Sequence, residues 1–256
     1  MAKVVPDVST VAAFLRERFA DVDAVELLNG GDWSSAFGFI SDGSALVARF
    51  GEHGEDYAKD AIAAGWASPD LPVPRVVEVG EGLDGWFCVS ERHVGTKLHE
   101  APPERFQLLT ERLFDVLDAI RAIELPGTGY GMWDAPDCDA FRPTWREYLV
   151  QSVTGLSEDR LTDWHRHLDS WPGATAALER GAAALAAMVH VCPEQRHVIH
   201  NDLLLNTLVA PDGRITAVFD WGNSLAGDPL YDIALLLNDA ADHPGLDEQL
   251  VMAMTR

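Results

Sequence analysis

Residues 196–222 constrain this chain more than any other stretch of it. A short apolar run, Val198-Ile199, breaks into His200-Asn201-Asp202. Two further apolar stretches follow, residues 205–210 and 215–219, with Pro211-Asp212-Gly213 between them. Each stretch has strand length. The separator holds what a tight reversal needs, since Gly tolerates positive φ and Asp bonds its own backbone. The pattern predicts a β-hairpin. Asp202 and Asp220 lie 18 residues apart in the chain, yet closing the hairpin returns Asp220 to the side of residues 205–207. Two carboxylates then face one small volume.

That placement has chemical content. An aspartate emerging where a buried strand ends can accept a proton from a bound hydroxyl. On its own, His200-Asn201-Asp202 reads better as a structural pair closing a loop. The matching Asp220-Trp221-Gly222 reverses that preference. Asp220 ends an apolar strand before a Gly-containing turn, a position that suits a hard cation with phosphate ligands. One carboxylate to take the proton and one to hold Mg²⁺ is the layout of phosphoryl transfer. Further on, Asp228 reads as a helix cap, and Asp232 as a first-turn acid facing the helix dipole.

The first part of the chain offers partners for this pair. Residues 28–39 place Gly30, Gly31, Ser34 and Ser35 between two strands, and a Gly-rich hairpin tip lets backbone N–H groups approach phosphate. More often such a tip is only a turn. Arg49 stands in the apolar strand of residues 45–50, on the same face as Val47 by period-2 alternation. It can reach a phosphate from an inner face, or sit at solvent on an edge strand. Lys59 and Asp60, on the helix that follows, are also candidates, and spacing does not choose among the three.

The remaining segments give the organisation. Residues 8–19 read as an amphipathic helix started by Ser9 or Thr10. Residues 25–28, 35–41, 45–50, 76–79 and 86–91 read as strands, and 56–67 as a helix. Beyond Gly95 the pattern turns helical at 103–123, 145–153, 173–188 and 231–237. Residues 126–143 are rich in Gly, Pro and Asp and read as loop. The expected fold class is α+β: a small β-rich lobe, residues 1–94, then a larger, mainly helical lobe, residues 95–256, that carries the hairpin. The joint falls near residues 92–95.

Composition excludes several classes. With 47% hydrophobic residues the chain can bury a real core, yet no run approaches a membrane span, and the N-terminus lacks a signal-peptide core. Three well-spaced cysteines (Cys88, Cys138, Cys192) suit a reducing cytoplasm better than a disulfide framework. The net charge of −22 repels nucleic acid and anionic lipid and attracts a cationic small molecule, unless it serves only solubility. His190, Cys192 and His197, or His165 and His167, lack zinc-site spacing. There is no Gly-x-Ser-x-Gly elbow for a nucleophilic serine.

Several segments together resemble a known family, the aminoglycoside phosphotransferases, small-molecule kinases with a protein-kinase-like bilobal fold. They are LLNGGDWSSAF (27–37), ALVARF (45–50), LPVPRVVEVGE (71–81), TWREYL (144–149) and, most specifically, CPEQRHVIHNDLLLNTLVAPDGRITAVFDWGNSLAGDPLYDIA (192–234). The detail of DGRITAV resembles the family's hygromycin B branch. The resemblance implies ATP or GTP as donor, with Mg²⁺, and transfer to a hydroxyl of an aminoglycoside or aminocyclitol, giving antibiotic resistance. It implies Asp202 as the base, Asp220 as a metal ligand, Arg49 near the phosphates and residues 30–35 over them. It also implies the backbone of residues 91–94, with Glu91 and His93, at the purine. A monomer or weak dimer is expected.

Two departures stand out. The family pattern has asparagine five positions after the base, as second metal ligand; here that position is Thr207, and Asn206 comes one residue earlier. In extended backbone the two would point to opposite sides, so Asn206 serves only if the chain bends there. The chain also ends at Arg256, and the resemblance implies further helices on the acceptor side. Two rivals remain open: a kinase for another small molecule (a macrolide, a peptide antibiotic or an amino alcohol), and a degenerate nucleotide-binding protein.

Overall fold

The computed structural model describes residues 5–28, 31, 33–155, 168, 170–240, 243 and 245–254. Strands β1 (Asp23–Leu27), β2 (Ser34–Ser41), β3 (Ser44–Gly51), β4 (Val76–Gly82) and β5 (Gly85–Glu91) form an antiparallel sheet in the order β1-β2-β3-β5-β4. Alternation gives this sheet two faces of different character. Phe37, Phe39, Leu46, Ala48, Phe50, Phe87 and Val89 cluster on one, where helix α1 (Val8–Arg16) covers them with Val11, Phe14 and Leu15. Each buried phenylalanine contributes about 1.5–3 kcal/mol by leaving water. The cap of α1 is Asp7, which accepts from Thr10 N at 2.9 Å, rather than Ser9 or Thr10, and the helix stops at Arg16. The other face of the sheet, with Ala36, Val47 and Arg49, lines a cleft. Helix α2 (Gly54–Ala63) follows β3 and packs on β4, β5 and the turn Trp221–Asn223.

In the second half, α3 (Phe106–Arg121) buries Leu109, Leu113, Val116, Leu117 and Ile120, the stripe that i, i+3/i+4 spacing predicts. Helix α4 (Trp145–Ser152) is capped by Thr144, whose hydroxyl accepts from Glu147 N. Helices α5 (Ala174–Met188), α6 (Leu230–Ala240) and α7 (Leu246–Met254) follow. The hairpin forms as β10 (Thr207–Val209) and β11 (Ile215–Val218), with Gly213 at φ 84° in its turn. Strand β6 (Thr96–Lys97) pairs with β10, on the side away from β11.

One sequence expectation fails here. Residues 126–143 contain two strands, β7 (Tyr130–Trp133) and β8 (Ala140–Arg142). With β9 (His197–Ile199) and β12 (Leu225–Gly227) they form a sheet ordered β8-β7-β12-β9. Gly131 is in β7 because the Tyr148 ring lies 2.2 Å from where its Cβ would stand. That glycine marks close packing, not a turn. Among the described residues no helix is long and apolar enough to cross a membrane.

Candidate active site

A cleft of about 330 Å³ lies between the five-stranded sheet and the hairpin. Leu28, Val47, Val76, Leu208 and Ala217 make one end apolar, closed by residues 90–93. Ser34, Arg49, Asp60, Asn206 and Asp220 make the other end polar. An elongated ligand with a flat apolar head and an anionic tail fits this division.

Arg49 shares the cleft face with Val47, the inner one of the two placements the sequence left open. It forms a hydrogen-bonded ion pair with Asp60, and its Nη1 lies 3.6 Å from Asp220 Oδ1. Burial opposes the charge on Arg49, and Asp60 above all, with Cys88 and Asp220 behind it, overcomes it and holds the guanidinium protonated. Burial raises the Asp60 carboxyl against the pull of Arg49. Asp60 also accepts from Trp221 N at 2.8 Å. Lys59, in contrast, is turned away from the cleft and donates to Gly222 O and Ser224 O.

Asp220 sits in the left-handed region, at φ 67° and ψ 63°, where aspartate is among the few tolerant side chains. The bend leaves its carboxylate 48% exposed at the cleft. Phe219 N donates to Asn206 O at 3.0 Å, the contact that brings the two hairpin ends together. Asn206 precedes β10, so its side chain escapes strict alternation and reaches the cleft. Its Nδ2 donates to Asp202 Oδ2 at 2.8 Å and to Asp202 O at 3.1 Å. Thr207 turns inward and its hydroxyl donates to Leu203 O at 2.8 Å. Of the two residues, the chain's bend presents Asn206.

Asp202 is half-buried beside Asn206, set back from the cleft wall. Burial raises its carboxyl to about 6, with Asn206 pulling it down and Asp220 pushing it up. Its position is fixed by the residues before it. Asp202 N donates to His200 Nδ1 at 3.2 Å, so the ring proton belongs on Nε2, which faces Phe219 O at 3.1 Å. Burial lowers His200 to about 4, keeping that neutral tautomer. Asp232 accepts from His200 N at 2.8 Å and Asn201 N at 2.7 Å. Asp232 stands in the first turn of its helix as expected, and it also anchors the loop that carries Asp202. Asp228 accepts from Leu230 N at 3.1 Å, as expected for a residue at a helix start.

Among the remaining expected residues, Gly31 and Ser34 line the cleft, as do Glu91 and His93. The Glu91 carboxylate pairs with Arg75 at 2.9 Å, and its backbone N–H donates to Arg75 O at 3.0 Å. Ser35 does not line the cleft: alternation turns it to the α1 side, where it is 2% exposed. Gly30 lies outside the described residues. Sequence reasoning missed the anchoring by Asp232 and the contacts of Lys59, because both reach across long stretches of chain.

A family model described as "Phosphotransferase enzyme family" (APH) matches residues 25–255. Hygromycin-B 4-O-kinase of Escherichia coli is 29% identical over 229 residues, which is 88% of this chain and 65% of that protein's length. A thermostable mutant of aminoglycoside phosphotransferase APH(4)-Ia, solved as a ternary complex with AMP-PNP and hygromycin B, superposes with a TM-score of 0.83 at 28% identity, over 96% of this chain and 81% of that one. Spectinomycin phosphotransferase APH(9)-Ia, at 13% identity and a TM-score of 0.61 over 96% of this chain and 78% of that one, shares the fold. The fold is the bilobal, protein-kinase-like one, and the chain belongs to the phosphotransferase enzyme family.

Proposed function

We propose that this chain moves the γ-phosphoryl group of ATP or GTP onto a hydroxyl of an aminoglycoside or aminocyclitol, with hygromycin B the first candidate, and so confers resistance. The observation behind it is the meeting of Asn206, Asp220 and Arg49 at the polar end of a cleft whose other end is apolar, with Asp202 set just behind that end and bonded to Asn206. The purine enters the apolar end against the backbone of Glu91 and His93. Gly31 and Ser34 lie over the phosphates. Asp202 orients the acceptor hydroxyl and takes its proton. The hydroxyl oxygen then bonds to phosphorus as the bond to the leaving diphosphate breaks. Arg49, held by Asp60, faces the charge that builds on the phosphates.

The donor set at the polar end fits Mg²⁺. Asp220 offers a half-exposed carboxylate, and Asn206, whose Nδ2 is engaged by Asp202, offers Oδ1. When bound, the ion would supply charge neutralisation between the phosphates. Thr207 does not argue for a degenerate site, because its hydroxyl is engaged by Leu203 while Asn206 reaches the cleft. The acceptor class draws support from the net charge of −22, which favours a polycation, and from the hygromycin-acting relatives. Free cysteines at Cys88, Cys138 and Cys192 suit a reducing compartment, where nucleotide is abundant.

The test is nucleotide consumption against a panel of aminoglycosides, with mass spectrometry of each compound. Hygromycin B should gain one phosphate. A panel in which no compound is modified, under conditions where the protein is folded, defeats the proposal.

A further inference from the structure

We infer that Lys59 is a positioning residue that ties the loop bearing Asp220 to helix α2, so that the metal-side carboxylate and Arg49 are placed by one rigid unit. This rests on the proposed phosphoryl-transfer site and adds to it a residue that touches no substrate.

The loop needs such a tie. After Asp220 in its left-handed conformation, the backbone makes a 3₁₀ turn over Trp221–Asn223 before β12 begins. Irregular backbone leaves carbonyls outside any ladder, and here they are buried, with Trp221 and Ser224 both 0% exposed. Buried carbonyls require donors. Lys59 Nζ donates to Gly222 O at 3.0 Å and to Ser224 O at 3.2 Å. Its neighbour Asp60 takes the opposite pole of the same loop, accepting from Trp221 N at 2.8 Å, and pairs with Arg49. Two consecutive helix residues thus hold one donor and two acceptors within four residues of the loop. Neither Arg49 nor Asp220 can shift without disturbing α2.

The location of Lys59 argues against a passive role. It is 2% exposed, and its Nζ lies 4.8 Å from the centre of the Trp133 ring, so its charge is held by carbonyl dipoles and an aromatic face. Burying an ammonium group is costly, and a helix that needed only solubility or length would keep its lysine at the surface.

Lys59→Met keeps the length of the side chain and removes the donors. In the ligand-free variant, amide exchange over residues 220–224 should accelerate while the five-stranded sheet keeps its protection. By calorimetry, nucleotide affinity without Mg²⁺ should be unchanged, and the gain in affinity that Mg²⁺ adds should shrink by about tenfold. In turnover, kcat should fall with the acceptor KM unaltered. A folded Lys59→Met protein with wild-type exchange at 220–224 and a wild-type Mg²⁺ gain overturns the inference. If Lys59→Met does not fold, Lys59→Gln, which keeps a shorter donor, carries the same comparison. Wild-type protein that binds no nucleotide would defeat the proposed function, while the exchange measurement would still decide the tie.

Discussion

At the scale of single residues, the proposed chemistry depends on Asp202 being ionised when the acceptor arrives. Burial, against Asn206 and reinforced by Asp220, raises its carboxyl from 3.8 to about 6. Below that pH the group is protonated and cannot take a proton from the hydroxyl. The expected rate profile therefore climbs about tenfold per pH unit below 6 and levels above it. Asp202→Asn should lower kcat by about 10²- to 10⁴-fold and abolish that limb, with nucleotide binding retained in calorimetry. A variant that kept the wild-type profile would remove Asp202 from the role of base. The neighbouring pair allows a sharper comparison. Asn206→Ala should raise the Mg²⁺ concentration needed for half-maximal rate, since it removes an amide at the cleft. Thr207→Val should leave that requirement alone and cost about 1 kcal/mol of stability, the worth of its bond to Leu203. The opposite pattern in Mg²⁺ titrations would mean that the chain uses the threonine after all.

At the scale of elements, the loop bearing Asp202 is held from α6 and from within. Asp232→Ala would leave the buried amides of His200 and Asn201 without an acceptor, at a cost of about 2–6 kcal/mol in urea unfolding, and Asp232→Asn should cost less. His200 adds a pH signature. Its imidazole is pushed from 6.5 to about 4 by burial, so between those values the unfolded chain binds a proton that the folded one does not. Stability from this residue is present above pH 6.5 and is lost as pH falls toward 4, by about 3 kcal/mol. The gap between wild type and His200→Asn should narrow over that window, and a gap that stays constant would contradict the buried neutral ring. These same elements show how far the sequence could be read. The hairpin was legible because its signals are local: apolar stretches of strand length on either side of Pro211-Asp212-Gly213 and an aspartate at its end. Period 2 gave Arg49 a shared face with Val47 but not which face was inner, and the same rule excludes Ser35 from the cleft. Asp232 was not, because the amides it holds lie 31 and 32 residues upstream and its own position reads equally as a helix start. Strands β7 and β8 hid in a Gly- and Pro-rich segment because Gly131 answers to Tyr148, a residue of another element. Lys59 needed partners more than 160 residues away.

At the scale of the whole molecule, two features act together: a cleft built from both halves of the chain, and a strong negative field around it. Backbone and side-chain bonds cross between the halves where the cleft closes, from Val218 N to Pro72 O at 2.7 Å and from Thr216 Oγ1 to Val94 O at 2.9 Å. The hairpin is thereby fixed against the segments that flank β4 and β5. The field of a chain with net charge −22 extends beyond any single contact and acts on the approach of ligands. It accelerates the arrival of a polycation and opposes that of a nucleotide. Salt shortens its reach, from about 30 Å at 0.01 M to about 10 Å at 0.1 M. Across that range kcat/KM for a polyamine-bearing acceptor should fall by about tenfold or more, while kcat/KM for the nucleotide should hold or rise. The measurement is initial rates at saturating levels of the other substrate, with ionic strength set by an inert salt. Acceptor kinetics that ignored salt would assign the acidity to solubility alone, and the case for a cationic acceptor would then rest on the relatives.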